Sequence, residues 1–202
     1  MKYLFREGKD RNGLTFLLLH GTGGSEEDLL PIAALIDSEA NVLSVRGNVL
    51  ENGMARFFRR VAEGVFDEED LIFRTKELYS FVKEKADEYG FDEQKVVAIG
   101  YSNGANIAAS LLFHYENALK GAILYHAMVP LKGLTLPDLS NSSIFIGAGK
   151  QDPLILATET EELITLLQGS NANVTSYWQE GGHQLTRDEV EESKRWFIQT
   201  FK

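Results

Sequence analysis

The run Gly100-Tyr101-Ser102-Asn103-Gly104 stands between a β-branched apolar stretch, KVVAIG from Lys95 to Gly100, and an Ala- and Leu-rich stretch from Ala105 to Tyr115. A G-x-S-x-G turn between a strand and a helix holds its serine on a strained corner, with the hydroxyl above the end of a sheet. The flanking glycines serve where a Cβ would clash between closely approaching backbones. Such a corner requires a buried strand followed by a helix, which points to an α/β chain and to a nucleophilic serine. A glycine-bordered turn that only closes a buried strand would show the same five letters. The nucleophile's partners decide between the two.

Strand-like and helix-like segments alternate along the whole chain, as expected for a mostly parallel sheet with helices on both faces. LTFLLLH (Leu14 to His20) is apolar without interruption, the pattern of a strand buried on both sides. Asn41 to Arg46, GAILYH (Gly121 to His126), SIFIGA (Ser143 to Ala148) and Asn173 to Trp178 are further strand candidates. Helices are expected over Ser25 to Asp37 with a Ser25 cap, Glu68 to Tyr89 between Asp67 and Gly90, and Leu154 to Leu167. Thr186 followed by Glu189 forms a capping box for a last helix bearing Trp196 and Phe197. No repeat or linker interrupts this order, so residues 1–202 are read as a single domain.

The net charge of −10 and the pI near 4.9 argue against nucleic-acid or anionic-membrane partners. There is no cysteine, which excludes disulfides, thiolate metal sites and a cysteine nucleophile. The start of the chain has no apolar run of secretory length, so a cytoplasmic location is expected. The Asn141 and Asn173 sequons are then accidental.

A serine hydroxyl needs a base, and the base needs an orienting group; after a serine on such a strand-to-helix corner the usual chain order is acid, then histidine. His183 lies in Glu180-Gly181-Gly182-His183, a flexible loop after the last strand candidate. Asp152 lies in GKQDP (Gly149 to Pro153), directly after SIFIGA, and Pro153 restricts it to an extended conformation. Asp138 precedes that strand and is the weaker acid. His114 falls within a helix and reads as structural, while His126 sits at a strand end and could border a pocket. The oxyanion of an acyl-transfer intermediate needs two donors. They are expected to be the Asn103 N–H and the Thr22 N–H of the HGTGG loop (His20 to Gly24), with Gly21 as the alternative to Thr22. No nucleotide-binding glycine pattern is present, and this chemistry asks for no metal or organic cofactor.

These pieces together resemble α/β-hydrolases of the phospholipase/carboxylesterase and dienelactone-hydrolase group. The nearest likeness is to small bacterial carboxylesterases that include hydrolases associated with hydroquinone stress. It rests on HGTGG at 20–24, RGNVLENGMARFFRR at 46–60, GYSNG at 100–104, GKQDP at 149–153 and GGHQL at 181–185. It implies Ser102 as nucleophile, Asp152 as acid and His183 as base in hydrolysis of a small-molecule ester. A monomer or a homodimer is expected. Segment 46–60 suits a winding loop on the active-site side. Its Arg56, Arg59 and Arg60 can bind an acidic substrate group or pair with Glu63, Asp67 and nearby carboxylates, and the surplus of acids favours pairing. Arg59 and Leu154 are the candidate substrate-pocket residues, and Phe57 and Phe58 are core or pocket wall. No insertion is long enough for a large lid, which implies a shallow pocket for short acyl groups. The alternatives are an acyl thioesterase or lysophospholipase using the same three residues, or a non-catalytic binding protein on the same scaffold.

Overall fold

The computed structural model describes all 202 residues. Seven strands form one sheet: β1 (Tyr3–Arg6), β2 (Thr15–Leu19), β3 (Asn41–Val45), β8 (Val96–Tyr101), β9 (Gly121–Tyr125), β10 (Ser143–Gly149) and β11 (Asn173–Gln179). Their spatial order is β1-β3-β2-β8-β9-β10-β11. All neighbours are parallel except the β1 edge strand, which runs antiparallel to β3. Helices α2 (Glu68–Tyr89), α3 (Asn103–His114) and α4 (Ala157–Gly169) cover one face, and α1 (Leu30–Ile36) and α5 (Arg187–Phe201) cover the other. This is the α/β-hydrolase architecture, compact and without a large lid.

The continuous apolar runs are explained by this two-sided cover. Along β2, Leu17 and Leu19 pack with Leu78 and Leu112 under α2 and α3, while Phe16 and Leu18 pack with Trp196 and Phe197 of α5. Strand geometry alternates the faces, so a strand with helices on both sides must be apolar at every position. The chain moves outward from β2 to β3 and then returns to place β8 on the other side of β2. The carboxyl ends of β2 and β8 therefore flank the point where the winding reverses, the place where open α/β sheets form their clefts.

Several local expectations hold, and several shift. The Asp67 carboxylate caps α2 by accepting from the Asp70 N–H, and Gly90 ends it in the left-handed region at φ 72°. The Thr186–Glu189 capping box opens α5. Ser25 caps only a turn, bonding Asp28 and the Glu27 N–H; α1 begins at Leu30, where Pro31 suits the first turn. The helix expected from Leu154 starts at Ala157, because the Asp152 carboxylate captures the Leu154 and Ile155 N–H groups in a turn of its own. The loop expected after β3 is instead two short hairpins, β4 (Val49–Glu51) with β5 (Met54–Arg56) and β6 (Arg60–Ala62) with β7 (Val65–Phe66). Asn52 and Gly53 form the two-residue turn of the first, both at positive φ, which Asn-Gly tolerates best.

Near the β3 end, the buried Glu26 carboxylate meets Lys2 Nζ at 2.8 Å and the Arg46 guanidinium. Burial alone would raise its pKa, but these partners push it down to about 2 from an ordinary 4.5. A depressed carboxylate contributes stability above its unfolded pKa and loses it as pH falls through the folded one. Stability should therefore drop between about pH 4.5 and 2, and Glu26→Gln, about 2 kcal/mol less stable at neutral pH, should lose less over that window. Urea titrations of both proteins across that range check this. Parallel acid limbs would contradict it.

Candidate active site

Ser102 forms the corner between β8 and α3, with φ 51° and ψ −113°. A non-glycine residue held there stores strain on the order of 1–3 kcal/mol, which the surroundings must enforce. They do so by close approach on both sides. A Cβ on Gly100 would lie 2.7 Å from the Ala105 backbone, and one on Gly104 would lie 1.9 Å from the Leu19 carbonyl oxygen. The Ser102 N–H is fixed by the Tyr125 carbonyl of β9.

The sheet edge brings Ser102, His183 and Asp152 together. Ser102 Oγ lies 2.9 Å from His183 Nε2, and His183 Nδ1 lies 2.7 Å from Asp152 Oδ2. Asp152 is buried at the end of β10 and His183 half-buried after β11. Asp152 Oδ1 accepts the Leu154 and Ile155 N–H groups, and Oδ2 also faces His126 Nδ1 at 3.1 Å. Burial would raise this carboxyl, but the His183 contact, the Leu154 N–H and His126 outweigh it and hold it below its ordinary value. With the acceptor role fixed on Asp152, Nδ1 of His183 carries the proton and Nε2 presents a lone pair to Ser102.

The His183 loop is braced at each turn. Tyr101 Oη donates to the His183 carbonyl at 2.8 Å, and Gln179 Nε2 donates to the carbonyls of Gly182 and Gln184. Gly149 lets this loop approach, since a Cβ there would meet the Gly182 carbonyl oxygen at 2.2 Å. Across the cleft, burial pushes the His20 imidazole down. The neutral ring donates from Nδ1 to the Gly21 carbonyl and accepts the Gly47 N–H at Nε2. The first bond orients the ring within the HGTGG loop, and the second pins that loop to the segment after β3.

Ser102, Thr22, Asn103, Tyr101 and His183 all line one cleft of about 290 Å³. The N–H groups of Thr22 and Asn103 donate to no other group of the protein, whereas Gly21 is not part of the lining. Asn103 and Asn106 on α3 accept the N–H groups of Phe57 and Met128, tying two flanking segments to the helix that bears the serine corner. Leu154 lines the cleft with Ile155, Met128 and Phe66. Arg59 does not, which corrects the pocket expectation: its exposed guanidinium pairs with Asp67 and lies near Asp70. Arg56 and Arg60 stand in the wall instead, because the two hairpins point them inward. Both pair with Glu51, and Arg56 also donates to Thr22 Oγ1 at 2.7 Å. Phe57 and Phe58 are core. His114 bonds the Ser110 carbonyl of its own helix, away from the site.

Sequence reasoning overlooked Tyr101, Gln179 and Glu189 at this site. Glu189 was read only as a capping residue, yet its second oxygen points inward to His126 at 3.1 Å. A buried strand-end histidine with no acid nearby in sequence was the signal to seek one on another element.

No helix is long and apolar enough to cross a membrane. Residues 66–195 match the Dienelactone hydrolase family. The protein MhqD of Bacillus subtilis (strain 168) is 56% identical over 197 residues, covering 98% of each chain. The crystal structure of the Bacillus cereus carboxylesterase superposes with a TM-score of 0.98 at 64% identity, covering 100% of this chain and 95% of that one. A structure of YahD with malic acid gives 0.94 at 31% identity over 98% of each chain. A serine corner at the winding reversal, on a sheet shared with such relatives, places this chain in the dienelactone hydrolase family of α/β-hydrolases.

Proposed function

We propose that this protein is a serine carboxylesterase that hydrolyses small or short-acyl esters through an acyl-enzyme. The observation that carries this reading is the unbroken line from Ser102 Oγ to His183 Nε2 at 2.9 Å and from His183 Nδ1 to Asp152 Oδ2 at 2.7 Å, opening on a cleft. In the proposed reaction Ser102 attacks the ester carbonyl as His183 takes its proton. Asp152 holds the His183 tautomer and stabilises the imidazolium. The Thr22 and Asn103 N–H groups receive the oxyanion. His183 then protonates the leaving alcohol, and a water that it activates releases the acid and restores Ser102. The likeness to the Bacillus cereus carboxylesterase supports an ester as the bond cleaved.

The substrate size follows from the cleft. It is small, its walls are the two hairpins and the Leu154 segment, and Arg56 and Arg60 are occupied by Glu51. A panel of p-nitrophenyl esters of increasing acyl length should give the highest kcat/KM at acetate to butyrate, falling about tenfold or more by the long chains. Acyl-thioesters and lysolipids measured beside them separate the thioesterase and lysophospholipase readings. A higher kcat/KM on either, or rising rates with chain length, would replace the proposal.

A further inference from the structure

His126 directly follows β9, with its ring wholly buried between two buried carboxylates. Nδ1 lies 3.1 Å from Asp152 Oδ2, and Nε2 lies 3.1 Å from Glu189 Oε1. The second contact is close but not aligned as a hydrogen bond, and neither atom has another partner. The other Glu189 oxygen is spent on the Thr186 N–H and hydroxyl. Gly147 leaves room for the inward one, since a Cβ there would lie 3.0 Å from it. The remaining groups around the ring carry no compensating charge. The Tyr101 ring meets it edge-on and the His183 ring lies tilted to it, Tyr125 spends its hydroxyl on Ser193, and no lysine or arginine reaches Asp152 or Glu189.

We propose that His126 is a positioning residue held permanently as an imidazolium between Asp152 and Glu189, so that Ser102, His183, Asp152, His126 and Glu189 form one five-membered chain. This rests on the Ser102–His183–Asp152 reading and extends it. His126 is the one basic side chain in contact with both buried carboxylates, and uncompensated buried charges are strongly disfavoured. Burial alone would lower the His126 pKa, but Glu189 first and Asp152 second raise it above the usual imidazole value. His126 keeps its proton through the cycle: the Ser102 proton moves to His183 Nε2 and on to the leaving alkoxide. The charge on His126 offsets one of the two carboxylates that His183 senses. Removing it makes His183 easier to protonate, and a protonated His183 cannot act as base.

The backbone allows a clean separation of charge from hydrogen bonding. His126 has φ 54°, a left-handed conformation that asparagine adopts readily. His126→Asn can still donate to Asp152 but carries no charge. Its kcat/KM on p-nitrophenyl acetate should fall less at the alkaline plateau than that of His126→Ala, while the acid limb moves up by about 1 pH unit. His126→Ala removes both and should lower the plateau by about tenfold or more. An acid limb that does not move in folded His126→Asn would overturn the proposal. Nitrogen-15 NMR of the wild-type histidine rings tests it without any variant. Both ring nitrogens of His126 should be protonated at about pH 8, and a neutral His126 ring there would overturn it even if folding defeats the variants. Because that reading needs no turnover, failure here is separable from failure of the Ser102 assignment, which would appear as an active Ser102→Ala enzyme.

Discussion

Ser102→Ala should lower ester kcat/KM by about 10⁴-fold or more while leaving the fold unchanged. Only the Oγ atom is lost, and in the proposed reaction that atom makes the new bond to the acyl carbon; neither His183 nor Asp152 is placed to substitute. Stability should hardly change, because the corner is fixed by contacts of Gly100, Gly104 and the Ser102 N–H rather than by the hydroxyl. His183→Ala should cause a loss of similar size. The double variant should be no worse than either single one, since the two groups act as a unit. Steady-state kinetics with p-nitrophenyl acetate on all three, beside their circular dichroism, checks the set. Losses that multiply in the double variant would show the two side chains acting separately.

The largest effect on stability is expected at Gly104. An alanine there would put its Cβ 1.9 Å from the Leu19 carbonyl oxygen and 2.6 Å from that of His20. Both obstacles are backbone at the end of β2, so no rotamer change relieves the overlap. Helix α3 must move away from the sheet, opening the core among Leu19, Ala105 and Ala108. We expect Gly104→Ala to be destabilised by about 3–5 kcal/mol, roughly 10 °C in Tm for a chain of this size. Activity should fall as well, because the same movement separates the Asn103 N–H from the Thr22 loop. Denaturant unfolding of the variant measures the first effect. A loss below about 1 kcal/mol would mean that the approach of α3 to β2 is looser than described.

What could be read from the amino-acid order is what depends on local chemistry and on two-sided burial. β2, β8, β9 and β10 were visible because strands covered on both faces must be apolar throughout. Asp152 and His183 were visible because each follows such a strand and sits beside glycine or proline. The edge strand β1 was missed: Tyr3 to Arg6 alternates half-buried and exposed residues, and only its pairing with β3 defines it. The hairpins over the cleft were missed although Asn52-Gly53 advertises a two-residue turn, because flanking strands of three residues carry almost no periodicity. That omission explains the Arg59 error. A hairpin pleat decides which of three nearby arginines points inward, and a loop reading has no pleat. His126 was recognised only as a possible border of the site. Its second carboxylate comes from α5, and no sequence neighbourhood joins the end of β9 to that helix.

The most direct test of the central claim is covalent. The wild-type protein treated with a fluorophosphonate should gain one phosphonyl group, located at Ser102 by peptide mass spectrometry, with ester turnover lost in proportion. Ser102→Ala should gain none. A wild-type protein that remains unlabelled while hydrolysing esters, or that is labelled at another residue, would contradict the account.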